Sequence, residues 1–198
     1  EEENKILREL TALFLPLKSE IQESFHILIL IDQHTTIAKF AHHLKAVRPE
    51  FNTNGFIKII DADNPIFTLS NKMVVPLSLE LQDEKILLLS GPNAGGKTVV
   101  LKSLGLYALM AQSGLYIPAK TVILSHFTKF MADIGDGQSM EDDLSTFSAH
   151  IQALTEIVEN ADSSSLILLD ELGTGTDPNA GAAISQAILE NLLTKNCI

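Results

Sequence analysis

Residues 86–98, with the sequence ILLLSGPNAGGKT, decide the predicted fold. The apolar run Ile86–Leu89 is typical of a strand buried on both faces of a parallel sheet. The eight residues after Ser90 match the phosphate-loop pattern G-x-x-x-x-G-K-[ST], and a helix is predicted from about Lys97 to Gln112, so the loop lies between a strand and a helix. The candidate phosphate-binding residues are Gly91, Pro92, Asn93, Ala94, Gly95, Gly96, Lys97 and Thr98.

The chemistry of this loop follows from its residue types. Its glycines allow the backbone to curl so that several N–H groups point at one phosphate, and the helix N-terminus adds partial positive charge. We expect Lys97 to reach the β- and γ-phosphates of a nucleotide and the Thr98 hydroxyl to bind Mg²⁺. The alternative, a chance glycine-rich turn, does not explain why the motif stands between a strand and a helix.

Two carboxylates follow a second apolar run, Leu166–Leu169, which predicts another fully buried strand. We predict that Asp170 holds Mg²⁺ through water. Glu171 would lie on the opposite side of the strand end and polarise the attacking water. The alternative is a structural pair of carboxylates at the end of a strand.

A serine and a threonine open the next predicted helix, which runs from about Thr146 to Asn160. Ser145 at such a position is commonly a helix N-cap. In ABC-type ATPases a terminus of this kind completes the γ-phosphate site of the other subunit, and the two roles of Ser145 and Thr146 are compatible.

The order of predicted elements indicates two parts. Residues 1–48 carry an apolar stripe at helical spacing, interrupted near Pro16, and predict a helical arm. Residues 49–198 contain short strands up to residue 80 and then alternate strands with helices. This alternation predicts an α/β fold with a doubly wound, mainly parallel sheet.

The charge, the apolar runs and the cysteine count exclude several classes of protein. The net charge is −11, and residues 130–198 contain twelve acidic residues and one basic residue, Lys195, so this third is a poor surface for a phosphate backbone. The longest aliphatic run, Ile27–Ile31, is too short to span a bilayer, so no membrane partner is expected. The single cysteine, Cys197, excludes an internal disulfide and fits a reducing compartment, which favours the cytoplasm.

The wording of several motifs resembles the ATPase domain of the MutS family of DNA mismatch-repair proteins. The motifs are the loop 91–98, the segment IGDGQS at 134–139, LSTFS at 144–148 and LDELGTGTDP at 169–178. The wordings of the segments at 134–139 and 169–178 are similar to those of the second bacterial branch, MutS-two. The resemblance covers about residues 4–198.

The resemblance implies a P-loop ATPase of the ABC type with ATP and Mg²⁺ as cofactors. It implies a homodimer formed through this domain, and DNA bound by regions absent from this chain. The arm would be the end of the family's lever helices, and the chain would be a fragment that stops before a C-terminal strand. The nucleotide state would control the grip on DNA in mismatch repair or recombination control.

Individual residues take roles from the same resemblance. Gln138 would sense Mg²⁺ and the water, Glu171 would be the general base, and Lys97 would complete the catalytic set. Ser145 and Thr146 would reach the other subunit's γ-phosphate, and Val75 and Pro76 would border the adenine.

Two alternatives stay open. The chain could be a nucleotide-dependent switch or dimerisation module without hydrolysis, acting in ribosome rescue with a ribosome as its partner. It could also belong to another ABC-type class, although those classes use a Gly-Gly signature where this chain has Leu144–Phe147.

Overall fold

The structure is a computed structural model that describes residues 1–73, 75–92, 95–135 and 143–198, the side chains of residues 143–149 excepted. The chain divides into two compact units, Glu1–His43 and Leu44–Ile198. In the described residues, no helix is both long enough and apolar enough to cross a membrane.

The first unit consists of two helices. Helix α1 spans Glu2–Phe14 and helix α2 spans Lys18–His43, with a 3-10 turn at Leu15–Leu17 between them. Pro16 lies in that turn, which confirms the interruption predicted there, because proline cannot donate the hydrogen bond that a continuous helix needs. All residues of this unit are described, and none in α1 or α2 is buried.

The second unit begins with a four-stranded sheet. Its strands are β1 (Glu50–Asn52), β2 (Ile57–Ala62), β3 (Leu77–Leu81) and β4 (Thr121–Ser125), in the order β1-β4-β2-β3. The β1–β4 pair is parallel, whereas β2 is antiparallel to both β3 and β4. Strand β2 contributes the fully buried Ile57 and Ile59 to the core.

Helix α4, spanning Lys97–Gln112, is attached to this sheet by buried polar contacts. The Tyr107 hydroxyl donates to the Ala62 carbonyl at 3.2 Å, and burial raises the pKa of Tyr107 to about 12. Asn64 caps the short helix α3 (Pro65–Leu69) and also donates to Ser103 Oγ at 2.8 Å. These contacts fix the helix that follows the phosphate loop.

A second sheet carries the acidic strand end. Strands β5 (Lys129–Asp133) and β6 (Ser165–Leu169) pair in parallel, with Asp133 opposite Leu169. Helices α5 (Asp143–Asn160) and α6 (Pro178–Thr194) contribute to a core cluster around Ile157 and Leu192, against which Ile167 packs. Helix α4 contacts β6 as well. A Cβ on Gly105 of α4 would lie 2.7 Å from Leu168 Cδ1, so the helix and the strand approach closely.

The predicted fold class, an ABC-type P-loop fold with a doubly wound, mainly parallel sheet, is wrong. The larger sheet is mixed, and the two sheets together have six strands in the described chain. The prediction failed because it extended the alternation of strands and helices after residue 81 to the whole sheet. Strands β1 to β3 come before that alternation, and the alternating apolar residues of β3 are typical of an antiparallel strand with one face in water.

The strand predicted at Ile86–Leu89 is also not present as a strand. Leu88 is 79% exposed, and residues 86–89 line one side of a cavity of about 520 Å³ whose other side includes residues 166–169 of β6. An apolar run can predict burial, but a strand also needs a neighbouring backbone to accept its hydrogen bonds. The Ile167 N–H of β6 donates to the Ile198 carbonyl at 2.7 Å, so this donor pairs with the C-terminal residue and not with residues 86–89.

Candidate functional site

The phosphate loop closes through its own backbone. Gly95 N–H donates to the Pro92 carbonyl at 2.9 Å, and Gly96 stands at the N-cap of α4 with φ of +81°. Any other residue would be strained in this left-handed conformation, although a Cβ at Gly96 would meet no atom within 4 Å. Gly96 is therefore needed for its backbone conformation, which leads the chain from the loop into α4.

The Lys97 ammonium lies inside the loop. Its Nζ donates to the Gly91 carbonyl at 2.6 Å and to the Pro92 carbonyl at 3.1 Å. Both acceptors are neutral carbonyls, so these bonds leave the positive charge uncompensated. An ammonium held beside the free N–H groups of a helix N-terminus forms an environment that favours an anion.

The structure brings the loop and the acidic strand end together. Thr98 Oγ1 donates to Asp170 Oδ2 at 2.5 Å, although the two residues are 72 positions apart in the chain. Asp170 is 9% exposed, and its backbone N–H donates to the Asp133 carbonyl at 2.9 Å, which fixes it at the end of β6. A hydroxyl and a carboxylate thus face each other beside the loop.

Glu171 follows in a strained conformation. Its φ is +51°, which is uncommon for a residue other than glycine, and its N–H donates to Asp170 Oδ1 at 3.1 Å. Left-handed backbone at a residue with a side chain costs about 1–3 kcal/mol and tends to occur at functional sites. The Glu171 side chain is exposed and borders two cavities, so it is accessible to water and ligand.

Sequence reasoning missed two residues at the same edge of the second sheet. His150 Nδ1 lies 3.0 Å from Asp133 Oδ2, and both side chains border a small cavity together with Asp170 and Glu171. One signal could have found the aspartate: Asp133 ends β5 beside β6, as Asp170 follows β6. No comparable signal pointed to His150, because a histidine about two turns inside a helix has no distinctive pattern.

The other predicted site residues are less well placed. Val75 is 86% exposed, Pro76 is also exposed, and neither lines the two cavities that border Glu171. The structure therefore does not bring this pair to the candidate site.

Several predicted residues lie outside the described part of the structure. Ser145 and Thr146 belong to the first turn of α5, but only their backbone is described. Asn93, Ala94 and Gln138 are outside the described residues altogether.

The donor set fits Mg²⁺ bound together with phosphate. The described residues include no cluster of three or more His, Cys, Asp or Glu side chains that could hold a metal by itself. Mg²⁺ commonly uses one or two protein oxygens and takes its other ligands from phosphates and water. The paired oxygens of Thr98 and Asp170 meet that requirement, so the geometry defines a candidate site for the phosphates of a nucleotide with Mg²⁺.

Comparison with known proteins shows the family to which this chain belongs. The family model described as MutS domain V matches residues 87–198. The chain is 45% identical over 197 residues to the Endonuclease MutS2 of Caldicellulosiruptor saccharolyticus, covering 98% of this chain and 25% of that relative. It is 49% identical over 157 residues to the Endonuclease MutS2 of Clostridium botulinum, covering 78% of this chain and 20% of the relative.

The chain therefore belongs to the MutS family, and the matched region includes the phosphate loop, the acidic strand end and α6. It spans about a quarter of the length of the curated relatives it matches.

Proposed function

We propose that this chain binds ATP with Mg²⁺ and hydrolyses it. The observation that carries the proposal is the 2.5 Å hydrogen bond between Thr98 and Asp170, which unites two sequence motifs at one point. A chance match to the phosphate-loop pattern would not explain why its threonine contacts the aspartate of the second motif.

The loop residues would bind the phosphates. Lys97 now donates to two carbonyls of its own loop, and the same ammonium would exchange these for phosphate oxygens, a stronger charge-assisted contact. The N–H groups at the start of α4 would donate to the same phosphates. Thr98 and Asp170 would hold Mg²⁺, and the ion, when bound, supplies positive charge to the phosphate oxygens.

Glu171 would activate the attacking water. Glu171 is exposed at the strand end, one residue after Asp170, and its backbone is in the left-handed region. A carboxylate that accepts a proton from water in this way accelerates hydrolysis by about 10²–10⁴-fold. Gln138 would assist from the segment that follows β5.

The whole protein would act as a homodimer on DNA. Two curated relatives carry the name Endonuclease MutS2, and this chain aligns to only a quarter of each, so DNA would be bound by other parts of the protein. Ser145 and Thr146 would complete the site of the second subunit, and ATP state would control the grip on DNA during mismatch repair or recombination control in the cytoplasm. A ribosome is the alternative partner.

Two substitutions in the full-length protein test the nucleotide site. Lys97→Ala removes the ammonium in the loop and should weaken binding of a fluorescent ATP analogue by more than about tenfold, since it removes charge-assisted contacts. Glu171→Gln should bind ATP like the wild type, while phosphate release falls by about 100-fold or more. Lys120→Ala is the matched control, because Lys120 is 75% exposed in a surface ion pair with Asp61.

The outcomes separate the alternatives. Unchanged ATP affinity in Lys97→Ala would overturn the proposal. ATP binding without hydrolysis in the wild type, at any protein concentration, would limit the function to a nucleotide-dependent switch. Sedimentation of Glu171→Gln with and without Mg-ATP tests the dimer, and a monomer in both conditions would contradict a site shared between subunits.

A further inference from the structure

A small cavity with polar and apolar walls lies next to Glu171. Its volume is about 20 Å³, and four titratable residues border it: Asp133, His150, Asp170 and Glu171. A cavity needs about 10–15 Å³ and two to four polar partners to hold one water molecule. The volume of this cavity is sufficient for one water molecule, and the four titratable residues at its border are the candidate polar partners.

The Asp133 carboxylate fixes the orientation of the imidazole. Asp133 Oδ2 lies 3.0 Å from His150 Nδ1, and the Asp133 side chain is only 15% exposed. A carboxylate accepts but does not donate, so in the neutral ring the proton resides on Nδ1 and Nε2 becomes an acceptor. Gly135 passes beside this edge of the ring, where a Cβ would stand 3.7 Å from Nε2, so no side chain from residue 135 covers it.

The same aspartate is attached to the strand that carries the candidate base. The Asp133 carbonyl accepts from the backbone N–H of Asp170, so Asp133, Asp170 and Glu171 share one edge of the second sheet. His150 comes from α5, a different element. The pair therefore connects a helix to the strand end at which Glu171 stands.

We infer that His150, oriented by Asp133, is a positioning residue for Glu171, through one water held in the cavity between them. The water donates one hydrogen to His150 Nε2 and the other to the Glu171 carboxylate, so that both acceptors are satisfied. This contact selects one orientation of an otherwise exposed glutamate in a strained backbone conformation. The inference rests on the proposed hydrolysis at Glu171.

The alternative is that Asp133 and His150 only join α5 to β5. Two substitutions in the full-length protein distinguish these roles, because asparagine places its amide near the position of Nδ1 and glutamine places its amide near that of Nε2. His150→Asn keeps the contact with Asp133 and loses Nε2, the atom to which the inference assigns the water. His150→Gln loses the first contact and keeps a polar group near the cavity.

For the positioning role we expect a specific pattern. In His150→Asn, kcat for ATP hydrolysis should fall by about tenfold to a hundredfold, the usual effect of losing a supporting partner of a site, while KM and ATP affinity stay unchanged. Affinity for ADP with aluminium fluoride, which imitates the phosphoryl group under attack, should fall by a similar factor. His150→Gln should recover part of both losses.

A smaller loss of kcat in His150→Asn than in His150→Gln would overturn the inference. A merely structural tie predicts wild-type behaviour for His150→Asn and damage in His150→Gln, visible as a lower melting temperature. His126→Asn is the control, because His126 packs near Phe51 beside the first sheet, outside the residues assigned to the site. If the wild type hydrolyses no ATP, both the proposed hydrolysis and the positioning role of His150 fail. If the wild type hydrolyses ATP and kcat of His150→Asn equals that of the wild type, only the positioning role fails.

Discussion

Replacing Thr98 with valine tests the central contact of the site with almost no change in shape. Valine keeps the branched side chain and removes the hydroxyl that donates to Asp170 at 2.5 Å. Thr98→Ser is the matched control, because it keeps the hydroxyl and removes only a methyl group. The two variants therefore separate the loss of the oxygen from the loss of volume.

The structure sets the size of the expected effect. The Thr98 hydroxyl meets a carboxylate that is only 9% exposed, and hydrogen bonds to charged groups contribute about 1.5–3 kcal/mol. In the proposed complex the same oxygen contacts Mg²⁺, so a loss of similar size is expected there. At about 1.4 kcal/mol for each factor of ten, ATP affinity in Mg²⁺ should fall by about tenfold to a hundredfold in Thr98→Val.

The measurement is a titration with a fluorescent ATP analogue, in Mg²⁺ and again in EDTA. The wild type and Thr98→Ser should bind more tightly in Mg²⁺, and Thr98→Val should lose most of that difference. Equal Mg²⁺ enhancement in Thr98→Val and the wild type would refute the assignment of Thr98 and Asp170 as the metal-binding pair, even if ATP still bound to the loop.

Two further predictions concern stability. Asp177 caps α6 by accepting from Asn179 N–H and Ala180 N–H, so Asp177→Ala should reduce local stability by about 1 kcal/mol, measured as faster hydrogen exchange at those two amides, whereas Asp177→Asn should keep most of the cap. The Lys129 ammonium, 2.5 Å from Asp162, together with Ser164, holds the pKa of Asp162 well below its usual range. A lowered pKa stabilises the fold above the unfolded value of 3.8, and that effect is lost as the pH falls from 3.8 through the folded value. The melting temperatures of Asp162→Asn and the wild type should therefore differ at pH 7, and the difference should begin to shrink as the pH falls below about 3.8. A difference that stays constant on further acidification would contradict this.

Elements with a strong local signal could be predicted from the sequence. Helix α4 begins at Lys97 and ends at Gln112 as predicted, because the loop glycines and the glycine at 114 define its ends. Strand β6 also agrees with its prediction to within one residue. Both are apolar segments with clear boundaries, for which the local pattern is sufficient.

Features that depend on distant partners could not be predicted. The antiparallel pairs of β2 depend on β3 and β4, the second of which is about 60 residues away, and no local pattern names the neighbour of a strand. Residues 86–89 have the composition of a strand without the pairing. The contact of Asp133 with His150 joins residues 17 positions apart on a strand and a helix. Asp133 directly precedes the segment at 134–139, and His150 lies outside the motifs.

The helix and the strand that carry the two halves of the candidate site, Thr98 and Asp170, also contact each other away from the site. Thr98 stands on α4 and Asp170 follows β6, and a Cβ at Gly105 of that helix would lie 2.7 Å from Leu168 Cδ1 of that strand. Glycine inside a helix costs about 1 kcal/mol relative to alanine, so its presence in α4 requires a compensating gain. That gain is the close packing of α4 on β6, since any side chain at Gly105 would press on Leu168, two residues before Asp170. We therefore expect a substitution at Gly105 to displace the Leu168 side chain first, and through it to act on the site without touching a ligand.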